Sequence, residues 1–207
     1  MSKKDNAVTL MELLVALILL TIIVMGLGSI DLFSRFHVIS SGRRSRLQNE
    51  VSLALDHMSK HIVVSYGNEV VSGPNTVISV AVNNPNVNGD RISFHVDSND
   101  DGTAELWRAC RYNGNRIEYC PNCTDGTAVC NACNPAWGSD PANSLGTHIT
   151  NFQLVKPHDA QNRLTDNFVL VTVGACWDVA NPGTCGSQDN PSVNMNARIV
   201  MPSVTTH

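Results

Sequence analysis

Between Leu13 and Ile30 the chain runs for 18 residues without one ionisable side chain. At about 1.5 Å per residue this makes roughly 27 Å of helix. With the turn before it, the run just crosses a hydrocarbon layer about 30 Å thick. Lys3 and Lys4 precede it and Asp31 follows it. That order predicts a cytoplasmic leader and an exported remainder. The whole chain has 207 residues, enough for one ordinary domain with an appendage. Its formal net charge of -4 gives no bulk attraction to nucleic acid.

Three readings compete for the N-terminus. A cleaved secretory signal needs an apolar region of about 7–15 residues ending in a small-residue cleavage site. This run is longer, and Gly26-Leu27-Gly28-Ser29 matches such a site poorly. A plain membrane anchor accounts for the hydropathy and leaves Glu12 unexplained. A carboxylate in an apolar segment is expensive and points to function.

The third reading gives Glu12 a partner. Ala7-Val8-Thr9-Leu10-Met11-Glu12-Leu13-Leu14, behind a short basic leader, resembles the class III signal of type IV pilins and type II secretion pseudopilins. In that family the leader is cut before an apolar residue, and a glutamate stands fifth in the mature chain. With Val8 first, Glu12 is fifth. Ala7 stands where the family usually has glycine, and Val8 where it usually has phenylalanine.

The resemblance implies cleavage between Ala7 and Val8 by a prepilin peptidase, and N-methylation of Val8. It also implies that Glu12 sets subunit register by pairing with the α-amine of a neighbour. A buried carboxylate needs such a cation; snorkelling of Glu12 to the interface is the alternative.

Residues 31–66 lack proline and keep helical spacing. Leu47, Val51, Leu55, Met58 and Ile62 recur at steps of four, four, three and four. Gly67 and Asn68 offer a stop. A helix from Val8 to Tyr66 would span roughly 85–90 Å. Gly26, Gly28 and Gly42 mark bends, a melted stretch or close helix packing. Arg43, Arg44 and Arg46, the one basic cluster, read as a solvated face.

From residue 68 the composition turns to Asn, Gly, Thr, Val and Pro. Strands are expected at 76–82, 91–96, 105–112, 116–119, 148–155, 168–173 and 196–201. Asn113-Gly114 is the best hairpin signal, as a type I′ turn. No βαβ alternation appears. The fold class is therefore α+β, a long N-terminal helix packed on an antiparallel sheet. The organisation expected is a leader at 1–7, a membrane and filament-core helix at 8–30, its amphipathic continuation at 31–66 and a β-rich head at 67–207. Residues 68–207 hold seven Lys and Arg against thirteen Asp and Glu, which argues against a nucleic-acid partner.

Asp97, Asn99, Asp101, the Thr103 carbonyl and Glu105 place oxygen ligands at alternate positions around Gly102, the pattern of a short calcium loop. Arg108 stands where a twelfth-position glutamate would complete an EF-hand. An acidic turn between two strands is the other reading.

Seven cysteines is a high, odd count. Cys120, Cys123, Cys130 and Cys133 form two C-x-x-C units, read as disulfides or as zinc ligands. Only six residues separate the units, fewer than the roughly 12–20 usual in zinc sites. Cys176 and Cys185 close a Pro- and Gly-containing loop and form the best disulfide pair. An exported head makes disulfides the default. The seventh cysteine has no evident partner. No cofactor follows from the sequence alone; calcium and zinc are the candidates.

No G-x-S-x-G, P-loop or dinucleotide fingerprint occurs. His57 and His61, at i and i+4, lack the H-E-x-x-H glutamate and read as surface residues. The chain reads as no enzyme but as the substrate of a peptidase and a methyltransferase. The resemblance implies a structural minor pilin or pseudopilin subunit, J- or W-like, held singly across the cytoplasmic membrane with its head exported. From there it passes into a periplasmic pseudopilus or a surface pilus. Its partners would be other subunits, the prepilin peptidase, an assembly platform protein and membrane lipid. The competing class is a membrane-anchored, exported metal-binding interaction module.

Overall fold

The computed structural model describes residues 10–68, 78–81, 90–97, 99, 106–124, 130, 132–159 and 164–205. The fold is α+β: one long apolar N-terminal helix followed by antiparallel sheets. Helix α1 spans Leu10–Ile62 and belongs to two compact units, residues 1–42 and 43–207.

In the first unit the helix is unbroken through Gly26 and Gly28, so no melted stretch occurs there. Beyond the chain neighbours and the helix's own adjoining backbone, nothing approaches within 4 Å of the position of a Cβ on either glycine. Its large apolar side chains, from Leu10 at 81 % to Leu14 at 47 %, are exposed on every face. Thr21 Oγ1 donates to the Ile18 carbonyl at 2.7 Å, and Ser29 Oγ to the Met25 carbonyl at 2.9 Å. These bonds satisfy the hydroxyls within the helix, as an apolar surrounding requires. By length and composition the helix is long and apolar enough to cross a membrane.

In the second unit the stripe faces inward. Leu47, Val51, Ala54, Leu55, Met58 and Ile62 are buried, while Leu53 on the opposite face is 60 % exposed. The stripe shares one core with residues from both antiparallel sheets, including Ile92, Phe94, Ile117, Phe152, Val171 and Ile199. The helix ends at Ile62, before the expected Tyr66. Ser65 explains the early stop: its hydroxyl donates to the Ile62 carbonyl at 2.6 Å, and its backbone bridges Val96. A side chain that captures a terminal carbonyl competes with the next turn of helix.

The strands are β1 (Gly67–Asn68), β2 (Ile78–Ala81), β3 (Arg91–Val96), β4 (Leu106–Asn113), β5 (Arg116–Cys120), β6 (Ser144–Leu145), β7 (Ile149–Val155), β8 (Phe168–Cys176), β9 (Ser192–Val200) and β10 (Val204–Thr205). The expected single sheet is divided. Strands β2-β3-β4-β5-β6 form one antiparallel sheet and β7-β8-β9 another. Strand β1 pairs with β10 in parallel, which ties the chain after the helix to the C-terminal segment.

The β4–β5 hairpin pairs Asn113 with Arg116, so the loop is Gly114-Asn115 rather than Asn113-Gly114. Gly114 has φ +69°, and Asn115 is not in the left-handed region. Glycine accommodates that positive φ without a Cβ clash, and across it the Asn115 N–H donates to the Asn113 carbonyl at 2.8 Å.

Candidate functional site

Four groups of residues are candidates for function: the helix start, the acidic turn, the face joining helix to head, and the cysteines. Glu12 lies in the first described turn of α1. Ala7 and Val8 fall outside the described residues. At the acidic turn, the backbone N–H of Asn99 donates to Asp97 Oδ1 at 3.3 Å. Asp101, Thr103 and Glu105, the rest of the calcium set, also lie outside the described residues.

The helix is fastened to the head by Glu50, which helical spacing places among the solvent-facing residues but which the structure half-buries. Glu50 Oε1 accepts from the backbone N–H groups of Thr147 and His148, and Oε2 lies 2.9 Å from His148 Nδ1. Burial pushes the Glu50 pKa up, but these hydrogen bonds and the nearby imidazole outweigh it, and the pKa is lowered. Three amino acids away in the helical register, Leu47 is already core, so Glu50 sits at the rim of the stripe. The only sequence signal was an acid next to that stripe.

The arginine cluster is not simply solvated. Arg43 donates to the Asp189 carbonyl at 2.6 Å. The guanidinium carbons of Arg43 and Arg46 lie 5.4 and 5.9 Å from the Trp177 ring centre, and the Trp177 ring stacks on His148. Arg44 is exposed. An Arg set over an indole face gains about 0.5–1 kcal/mol when exposed.

His57 and His61 are half-buried rather than on the surface. Tyr119 stacks on His61 with centroids 4.3 Å apart, and its hydroxyl lies 3.0 Å from His61 Nδ1. Burial, then the charges of His57, Arg108 and Lys60, push the His61 pKa down to about 4. The unfolded chain takes up that proton near the ordinary value of 6.5 and the folded chain only near 4. Stability from this group is therefore complete above about pH 6.5 and falls as the pH drops through that window. Urea unfolding at about pH 7 and about pH 4.5 is expected to show a smaller pH loss for His61→Phe than for the unmutated chain. Equal losses in the two proteins would remove His61 as the source.

Three disulfides are present. Cys176–Cys185 has an S–S distance of 2.04 Å and closes the loop at Trp177–Thr184. Asn190, missed by sequence reading and 5 % exposed, organises that loop. Its Oδ1 accepts from the Asp178 N–H at 2.6 Å, and its Nδ2 donates to Thr184 Oγ1 at 2.9 Å. The two C-x-x-C units are joined by nested bonds, Cys120–Cys133 and Cys123–Cys130. In the chain-entropy view each of these short loops restricts the unfolded state by about 2.5–3 kcal/mol.

Cys110 is the odd cysteine. It is free and 0 % exposed in the main core, and burial pushes its thiol pKa to about 12. A thiol so held behaves as a small apolar side chain rather than a nucleophile.

No family model, no curated protein and no solved structure matches the chain.

Proposed function

We propose that the chain is a structural minor pilin or pseudopilin subunit whose helix serves first as a membrane anchor and then as a filament stem. The observation that carries the reading is the change along α1. Its N-terminal part exposes apolar side chains on every face, and its C-terminal part buries one stripe in a disulfide-bonded β head. An all-round apolar helix needs lipid or other helices around it. Exchange of lipid for neighbouring helices conserves that burial and so permits transfer from bilayer to filament. Disulfides are in keeping with a head outside the cytoplasm.

Within this reading a prepilin peptidase removes residues 1–7, Val8 is methylated, and the new α-amine meets Glu12 of the adjoining subunit. The platform protein and other subunits then take up the helix, and the product is a periplasmic pseudopilus or a surface pilus. Shearing or detergent extraction under mild conditions is expected to recover the chain in large assemblies with other subunits. Recovery solely as a membrane-bound monomer would contradict the reading. In that case the metal-binding module becomes the stronger account, because the sulfurs of Cys120, Cys123 and Cys130 lie within 4.8 Å of one another.

A further inference from the structure

The two C-x-x-C units do more than lie near each other. Across the gap between them the Thr124 N–H donates to the Ala132 carbonyl and the Asn134 N–H to the Asn122 carbonyl, both at 2.9 Å. Cys123 and Cys133 form an antiparallel bridge, and the Cys123 N–H donates to the Trp107 carbonyl at the end of the sheet. These bonds are backbone bonds, so they hold the units together without help from sulfur. They also answer the objection of short spacing: antiparallel pairing brings four cysteines together over only a short stretch of chain.

Sulfur positions add the second observation. Sγ of Cys120 lies 3.9 Å from Sγ of Cys123 and 3.7 Å from Sγ of Cys130, and none of these contacts is a covalent bond. A tetrahedral zinc centre with Zn–S of about 2.3 Å has sulfurs about 3.8 Å apart. Two edges of such a tetrahedron are thus already at length. The two covalent pairs, Cys120–Cys133 and Cys123–Cys130, would have to open, and the Cys133 sulfur would have to close on the other three, which alone lie within 4.8 Å of one another. Cys120, Cys123 and Cys130 are at most 5 % exposed, in a pocket closed by Ala109, Trp107 and Trp137. An apolar shell of this kind limits the access of water to a thiolate–metal bond.

We propose that Cys120, Cys123, Cys130 and Cys133 are a two-state site, a pair of disulfides when oxidised and a tetrathiolate Zn²⁺ site when reduced. The interconversion balances. Two molecules of a dithiol reductant deliver four electrons and four protons, both S–S bonds break, and the reductant leaves as two disulfides. Zn²⁺ then binds the four sulfurs and displaces their protons to solvent. A disulfide oxidant reverses the sequence, takes the four electrons and releases the ion. Cys110 stays outside this chemistry in the main core, and Cys176–Cys185 closes a separate loop. The inference does not rest on the filament reading, and neither one's failure decides the other.

The test uses the full chain in detergent, oxidised or reduced with a phosphine in the absence of oxygen, and titrated first with Co²⁺ and then with Zn²⁺. The reduced chain is expected to take about one Co²⁺ with the intense absorption of a tetrahedral thiolate site, and to yield it to Zn²⁺. The oxidised chain is expected to take none. The double variant C176S/C185S is expected to keep the signal, and both C120S/C133S and C123S/C130S to lose it. The comparison of oxidised with reduced unmutated chain needs no variant to fold. Absence of the cobalt spectrum in the reduced chain would overturn the proposal, as would an unchanged spectrum in C120S/C133S and C123S/C130S.

Discussion

Val51→Asp is expected to unfold the head, whereas Leu53→Asp, two residues along the same helix, leaves it folded. Val51 is 0 % exposed in the core shared by helix and sheets, and Leu53 is 60 % exposed on the other side. A carboxylate at position 51 has no cation within that apolar cluster, so it either stays charged at great cost or takes up a proton. Losses above about 4–5 kcal/mol belong to this class of change, and whole domains are stable by only about 5–15 kcal/mol. An exposed helix position tolerates the same change within about 0.5 kcal/mol. Thermal unfolding followed by circular dichroism checks both variants. Similar melting temperatures for the two would show that the helix stripe does not organise the head.

Glu12→Ala carries the second large effect, and this expectation rests on the proposed function. The side chain sits in the first described turn of a helix whose following residues are exposed and apolar. Removal of the carboxylate makes the segment more apolar, so membrane insertion and leader removal are expected to proceed. What is lost is a charge-assisted hydrogen bond between subunits, worth about 1.5–3 kcal/mol. Since about 1.4 kcal/mol is tenfold in an equilibrium, recovery in assemblies is expected to fall by roughly tenfold or more. Glu12→Asp keeps the charge and should recover part of the loss. Normal assembly of Glu12→Ala, with processing intact, would remove the pairing role.

Much of this architecture was legible because it depends on periodicity. The stripe from Leu47 to Ile62 and the strands expected at 91–96 and 168–173 follow from which face must leave water; every stripe residue is buried, and the second strand runs on to Cys176. Where the reading erred, a single polar contact or a distant partner decided. Ser65 ends the helix by capturing the Ile62 carbonyl, and the positive φ of Gly114 moves the hairpin loop by one residue. Glu50 and Asn190 owe their importance to backbone groups nearly 100 residues away and across a disulfide loop, respectively, which no local pattern records. Arg43 and Arg46 looked solvated because their partner, Trp177, is remote in sequence.

The cysteines show the same division. Four of them allow three connectivities, and sequence cannot choose among these. The structure joins Cys120 to Cys133 and Cys123 to Cys130, bonds that run diagonally across an antiparallel bridge setting Cys123 opposite Cys133. Burial of Cys110 between strands in the main core settles why the count is odd.

The mature amino terminus tests the central claim most directly. Intact-mass measurement and N-terminal sequencing of the chain from a host with a prepilin peptidase are expected to find Val8 first and carrying one methyl group. A mature chain that still begins at Met1, or one cut beyond the apolar helix, would contradict the account.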